Sequence, residues 1–315
     1  MPAPVEINRR LVDVDGGRLS IFRFGPLVEM PVVVAVHGIT GSSYSWTAVA
    51  RALGDRVALV APDIRGRGRS NNLPGPYGID VHVRDMLAVL DALGLDRAVL
   101  VGHSLGAYIV ARIAVSHPER VHALVLVDGG LSIPGTDGVD PQAFVDAFLG
   151  PAMARLKLRF PDRDAYRGWW RAHPALSSGD VADQDVVAYA DHDLVGAEPE
   201  MRCSVLEEAV RADASELLPA HGAAHSLTVS AKLLCAPRGL LDDPNPMQPF
   251  ELAHAWAQQD PGRRQATLIP DVNHYTITLG TAGAAAVADA IAATANAGGL
   301  SLIRTEQDNA ECTAG

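Results

Sequence analysis

Cysteine is scarce in this chain: three in 315 residues, at Cys203, Cys235 and Cys312, odd in number and widely spaced. That excludes a disulfide-stapled scaffold, and the spacing fits no metal site, so no metal is expected. Buried inert thiols and one thiol in the tail are the simplest account, and they suggest a reducing, cytoplasmic location. Basic charge is also short, with 26 Lys and Arg against 37 Asp and Glu and a net charge of −11. Phosphate backbones are bound by clustered Lys and Arg, so nucleic acid is excluded as a partner. Long hydrophobic runs are missing. Met1 to Arg10 has no apolar stretch of the kind a signal peptide carries, and no run approaches the roughly 20 residues that span a bilayer, so no membrane partner is expected. There is no internal repeat and no low-complexity linker. The Gly-rich stretch Asp63 to Ser70 is not followed by Lys-Ser/Thr, which excludes a phosphate loop, and no cofactor is expected.

What is present is the material of a soluble globular protein: 48% hydrophobic and 20% charged residues, at a length normal for an α/β core with an insertion. Residues 8–25 alternate around Asp15-Gly16-Gly17 and predict an antiparallel hairpin. Buried strands are predicted at Pro31–Val36, Val57–Val60, Ala98–Val101, Val121–Val127, Ala231–Ala236 and Ala266–Ile269. Helical apolar spacing separates them, as in Val83, Met86, Leu87 and Leu90, and this alternation implies a parallel sheet with right-handed crossovers. The rhythm breaks at Gly129. Residues 131–226 show no buried strand and read as amphipathic helices near 141–160, 163–172, 183–190 and 201–218. The α/β rhythm then resumes, with a helix near 248–259 and an Ala-rich helix over about 281–295. The core is therefore 1–130 with 227–298, the helical insert is 131–226, and 299–315 is a polar tail expected to fray.

The chain is organised around Ala98-Val99-Leu100-Val101-Gly102-His103-Ser104-Leu105-Gly106-Ala107. A buried strand runs into Gly-His-Ser-Leu-Gly, and a helix follows. Glycines two before and two after Ser104 let strand and helix approach closely and leave the hydroxyl exposed at the tip. This resembles the nucleophile elbow of the α/β-hydrolase superfamily, and in particular its capped serine esterase and lactonase branch. The resemblance implies a mostly parallel eight-stranded sheet flanked by helices, with a helical cap inserted after the strand that follows the elbow.

A serine needs a base, and the base an acid to orient it. In the superfamily the order is Ser, then Asp or Glu, then His. His274, in the loop Pro270 to His274 before the last helix, is the base that the resemblance implies. His254 competes but falls inside a helical pattern. The acid is expected in the loop after strand 231–236, at Asp242, with Asp243 as the alternative. Asp243 precedes Pro244, which pushes it to an extended backbone. A rarer family variant places the acid at Asp128, where a turn-capping role is the competing account. The oxyanion donors implied are the backbone N–H groups of Leu105 and of Ile39, the latter in His37-Gly38-Ile39-Thr40-Gly41. His37 and His103 are expected to be hydrogen-bonding or packed neighbours, and Asp63 and Arg65 to tie loops together. His221 with His225, and Asp191-His192-Asp193, read as hinge or polar-turn residues before they read as zinc ligands.

Serine at the elbow departs from the haloalkane dehalogenases and epoxide hydrolases of this fold, which place aspartate there. The loop His37 to Gly41 lacks the Gly-Pro-Gly of C–C hydrolases, and Leu105 stands where peptidase relatives usually carry Trp. The expectation is a carboxylesterase or lactonase acting through an acyl-enzyme on a small, largely apolar ester. The alternatives are a thioesterase, a C–C bond hydrolase, and a lyase or ligand-binding member that does not hydrolyse. The insert offers Phe144, Phe148, Met153, Trp169 and Trp170 as apolar wall, and one of Arg155, Arg159, Arg202 and Arg211 facing the pocket would suit a substrate carboxylate. The sequence leaves the oligomeric state open.

Overall fold

The structure is a computed structural model, described here for residues 6–26, 28, 30–133, 135–136, 138–140, 143, 150–177, 180–220 and 222–297. Phe144, Phe148, His221, Cys312 and the tail 299–315 lie outside the described residues, as does most of 141–149. The chain opens with strands β1 (Ile7–Val14) and β2 (Gly17–Phe24), which form an antiparallel hairpin. The turn between them places Gly16 at φ +82° and Gly17 at φ +151°, where a Cβ would be strained. Then come β3 (Val32–Val36), α1 (Thr47–Leu53), β4 (Ala58–Pro62), α2 (Ile79–Ala92), β5 (Ala98–His103), α3 (Leu105–Ser116) and β6 (Val121–Val127).

The insert follows with α4 (Gly150–Lys157), α5 (Arg163–Arg171), α6 (Asp183–Asp193), β7 (Leu194–Val195), β8 (Arg202–Cys203) and α7 (Glu207–Ala220). The core closes with β9 (Ser230–Cys235), α8 (Phe250–Gln258), β10 (Arg264–Leu268), a single turn α9 (Thr276–Leu279) and α10 (Thr281–Asn296). The insert differs from its sequence reading in two places. Residues 194–195 and 202–203 pair as an antiparallel ribbon, too short to leave a period in the sequence. Asp191-His192-Asp193 is the end of helix α6 and not a turn.

The sheet has eight strands in the order β1-β2-β4-β3-β5-β6-β9-β10. From β4 to β10 every neighbour is parallel, and the hairpin joins antiparallel through β2 and β4. Side chains of a strand alternate between faces, so one strand feeds two cores. Val34, Val36, Leu100, Leu124 and Leu126 pack with Met86 and Leu90 of α2, Ile109 and Ile113 of α3 and Trp256 of α8. Val33, Ala35, Val99, Val101 and Val125 pack on the other face with Val49 and Leu53 of α1 and Val287 and Ile291 of α10. Helices on both faces are what a parallel sheet requires, because its crossovers must return over one face or the other. Cys203 and Cys235 are both buried, and burial pushes both thiols up, away from thiolate chemistry. Among the described residues no helix is long and apolar enough to cross a membrane.

Candidate active site

Parallel strands end on one edge of the sheet, and the loops that leave that edge are where this architecture gathers chemistry. Ser104 is the residue after β5, with φ 53° and ψ −120°, and α3 starts at Leu105. Its strained backbone depends on the glycines around it. A Cβ on Gly102 would stand 2.3 Å from the Gly106 carbonyl oxygen, and one on Gly106 2.0 Å from that of Val36. The helix therefore starts hard against β3 and β5, and the Ser104 side chain projects over the edge. As the first helical residue, Leu105 has an N–H with no acceptor inside the helix.

Asp128 stands one residue beyond β6, the strand that pairs with β5 through His103 and Val127. Its φ is 45°, and its N–H donates to Leu234 O at 2.7 Å. Asp128 Oδ1 accepts from Ala236 N–H at 3.0 Å, and Oδ2 accepts from His274 Nδ1 at 2.6 Å. A carboxylate only accepts here, so Nδ1 carries the proton and Nε2 is left as the basic nitrogen. Both side chains are buried.

The expectation that Asp242 holds the histidine is thereby corrected. Asp242 Oδ1 accepts from Asn273 Nδ2 at 2.8 Å and pairs with Arg238 Nε at 2.8 Å. Asp242 thus supports the residue before His274 and leaves the imidazole alone. Asp243, the alternative, turns back on its own loop and accepts from Asn245 N–H at 3.0 Å. The physical reason is competition. The loop after β9 carries donors of its own, Arg238 and its turn amides, which take up both carboxylates, whereas Asp128 leaves a buried strand end where, among the described residues, His274 Nδ1 is the donor to Oδ2.

The loop carrying His274 is over-determined. His274 N–H donates to Arg238 O at 3.1 Å, and His103 Nε2 donates to His274 O at 2.9 Å. Asn273 Oδ1 accepts from the N–H groups of Tyr275 and Thr276 at 3.0 and 2.9 Å. Burial, and then the neighbouring His274 imidazole, hold His103 well below its ordinary pKa, so it is a neutral donor that orients the loop. Asn273 is a support that sequence reading passed over, although its place before His274 was a signal.

Gly38, Ile39, Thr40 and Gly41 line the same cavity as Ser104, Asp128 and His274. Gly38 lies against the serine, where a Cβ would come 3.2 Å from Ser104 Cβ. His37 Nε2 accepts from Ile64 N–H at 3.1 Å, so its Nδ1 is the donor to Gly38 O at 2.8 Å. That role needs a neutral ring, and burial brings His37 down to about 4. No hydrogen bond joins Ser104 Oγ to His274 Nε2 in this structure.

The remaining sequence candidates fall elsewhere. His254 is exposed on α8. Asp191 pairs with Arg167 at 2.6 Å, His192 with Asp63 at 2.8 Å and Asp193 with Arg155 at 2.5 Å, three separate directions. Among the described residues no group of three His, Cys, Asp or Glu could hold a metal ion. Arg65 bonds Asp85 at 2.7 and 2.8 Å and the carbonyls of Pro74 and Asp15, so the segment from Asp63 ties loops together.

The chain is similar to known hydrolases. A family model described as alpha/beta hydrolase fold matches residues 31–179. A lipase from Mycobacterium tuberculosis is 34% identical over 140 residues, 44% of this chain and 52% of the lipase. Epoxide hydrolase A from the same organism is 38% identical over 137 residues, 42% of this chain and 40% of that protein. The chain thus spans about half or less of the length of the curated relatives it matches. Among solved structures, E-2-(acetamidomethylene)succinate hydrolase superposes with a TM-score of 0.71 at 19% identity, over 92% of this chain and 100% of that one. A thioesterase domain from the curacin biosynthetic pathway gives 0.70 at 20%, over 91% and 99%. With its eight-stranded, mostly parallel sheet flanked by helices, and with a family model of that fold matching 149 of its 315 residues, the chain has the α/β-hydrolase fold.

Proposed function

We propose that the protein is a serine hydrolase that cleaves a carboxylic ester or lactone of a small, largely apolar molecule through an acyl-enzyme. The observation that carries this reading is the buried His274–Asp128 pair, 2.6 Å apart, sharing one cavity with Ser104 at the tip of its strained turn. Ser104 Oγ adds to the acyl carbon as its proton passes to His274 Nε2. The oxyanion is taken by the N–H groups of Leu105 and Ile39. The tetrahedral adduct collapses, the C–O bond to the leaving group breaks, and His274 returns the proton to the departing alkoxide. Water then repeats the cycle on the acyl-enzyme, with His274 as base, and releases the acid and free Ser104. Asp128 holds the tautomer and balances the imidazolium.

The insert acts as a cap over this site. The cavity at Ser104 measures about 50 Å³ and is walled by Tyr108, Ile133, Tyr189, Leu217 and Leu279. It shares Ala152, Leu240, Met247 and Tyr275 with a neighbouring cavity of about 310 Å³ that Trp169 and His173 also line. A small group beside the serine and a larger apolar one beyond it suit this shape. Arg155 lines the larger cavity, yet its Nη1 and Nη2 already bond Tyr166, Asp193 and Thr40 O. Burial, then Arg155, bring His173 down to about 4, so that ring is neutral near pH 7. Neutral esters are therefore favoured over half-esters.

The test is a panel of p-nitrophenyl esters and lactones, with fluorophosphonate labelling of wild type and Ser104→Ala. Turnover and labelling that both vanish in the variant are expected. Full ester hydrolysis by Ser104→Ala would sink the reading.

A further inference from the structure

We infer that the insert is part of the catalytic apparatus as well as its roof: Arg155, borne on α4, is a positioning residue that holds the loop 37–41 in its working shape. This rests on the hydrolase reading above and extends it from groups that touch the substrate to the groups that hold them.

Three successive carbonyls of that loop are each taken by a buried side-chain donor. Gly38 O accepts from His37 Nδ1 at 2.8 Å, Ile39 O from Arg67 Nε at 2.9 Å and Thr40 O from Arg155 Nη2 at 2.9 Å. In a trans peptide the carbonyl and the N–H of one unit point in opposite directions. Fixing Gly38 O therefore aims the Ile39 N–H, and fixing the next two carbonyls removes the rotation of the two units behind it. Gly41 N–H closes the loop on Gly38 O at 3.0 Å. A segment holding two glycines is otherwise free to turn its amides away from the site.

The donors differ in where they come from. His37 belongs to the loop. Arg67 belongs to the core, but its Nη1 is paired at 2.6 Å with Asp213 of α7, in the insert. Arg155 belongs to the insert outright. Its Nη1 reaches Tyr166 Oη at 2.7 Å and Asp193 Oδ2 at 2.5 Å, and Tyr166 donates to the same carboxylate. Each guanidinium is thus neutralised by an insert carboxylate and works through the loop's geometry, without adding net charge beside the oxyanion. A buried guanidinium is tolerated only where its donors are used. Here the bond left over from the ion pair goes to a carbonyl one residue from the expected oxyanion donor.

The experiment compares wild type with Arg155→Lys, which keeps the charge but cannot bridge Asp193, Tyr166 and Thr40 together. The readouts are kcat and KM on a p-nitrophenyl ester, inhibition by a boronic acid that forms a tetrahedral adduct at Ser104, and inhibition by the matching ether as a ground-state mimic. We expect kcat and boronic-acid affinity to fall together by about tenfold to a hundredfold, with KM and ether affinity within about threefold. A lowered Tm with kcat and boronic-acid affinity of the folded protein unchanged would make Arg155 a purely structural residue and overturn the proposal. Asp193→Asn leaves Arg155 in place but loosens its anchor. A smaller loss of the same kind is expected there, and the same null result counts against the proposal if Arg155→Lys does not fold. Wild-type protein without Ser104-dependent turnover or labelling would remove the hydrolase reading and this inference together. An active wild type matched by its Arg155 variant removes the inference alone.

Discussion

Replacing Asp128 by Asn tests the site at its most specific point. The carboxylate accepts from two donors, His274 Nδ1 at 2.6 Å and Ala236 N–H at 3.0 Å. An asparagine has one oxygen and one NH2 group, so it can satisfy only one of them. If its oxygen stays on Ala236, its NH2 faces Nδ1, which must then accept. The ring proton moves to Nε2, and the base can no longer take the serine proton. If it flips, the NH2 meets the Ala236 N–H, donor against donor. The charge is lost in either case. Two unit charges about 4 Å apart at an effective dielectric of about 20 interact by about 4 kcal/mol, which is the order expected for a carboxylate in contact with an imidazolium. At about 1.4 kcal/mol per decade this is roughly a thousandfold in kcat. Asp242→Asn is the control. Its ion pair with Arg238 is about one-third exposed on both sides, and such pairs contribute at most about 1 kcal/mol, so kcat should fall less than about fivefold. The assay is steady-state ester hydrolysis by both variants, with Tm measured alongside. An Asp128→Asn enzyme within tenfold of wild type, beside an Asp242→Asn enzyme reduced a hundredfold, would refute the assignment.

Gly106→Ala should destabilise the fold by roughly 3 kcal/mol or more, because the new Cβ would stand 2.0 Å from Val36 O in backbone that has little room to shift. Urea unfolding within about 0.5 kcal/mol of wild type would contradict that packing. Asp85→Asn breaks the buried pair with Arg65, where both side chains are at most 3% exposed, and should cost about 3 kcal/mol. Asp80→Asn, at the exposed Arg112 pair, should stay within about 0.5 kcal/mol. Equal losses from these two would show that burial does not set the strength of ion pairs here. Stability should also fall as pH drops from 6.5 towards 4, because burial holds folded His37 at about 4 against an ordinary 6.5. Only the unfolded chain takes up the proton in that window, at a cost to stability of up to about 3 kcal/mol. Denaturation midpoints that do not move between pH 7 and pH 4.5 would refute it.

Local chemistry carried the sequence a long way. Six predicted parallel strands match the observed ones to within two residues at most ends, because buried strands read as continuous apolar runs between breakers. Ser104 was legible for the same reason: a strand, a glycine-flanked turn and a helix lie within twenty consecutive residues, and their geometry follows from that short stretch. His274 was placed by its position after the last strand.

The carboxylate that pairs with His274 was not settled by the sequence, which favoured Asp242 and kept Asp128 as the rarer variant, because the pairing is decided between residues far apart in the chain. Asp128 and His274 are separated by 146 positions, and nothing in either neighbourhood records that β6 ends beside β5 while Arg238 and Asn273 occupy Asp242. Sequence could say that carboxylates stand at the ends of two strands. Which of them accepts from the imidazole depends on which donors each already serves, a question only the packed loops answer. The same holds for Arg155 and Thr40, 115 positions apart. A helical insert with arginines was visible in the sequence. That one of those arginines grips a carbonyl of the loop lining the Ser104 cavity follows from where the insert settles on the core.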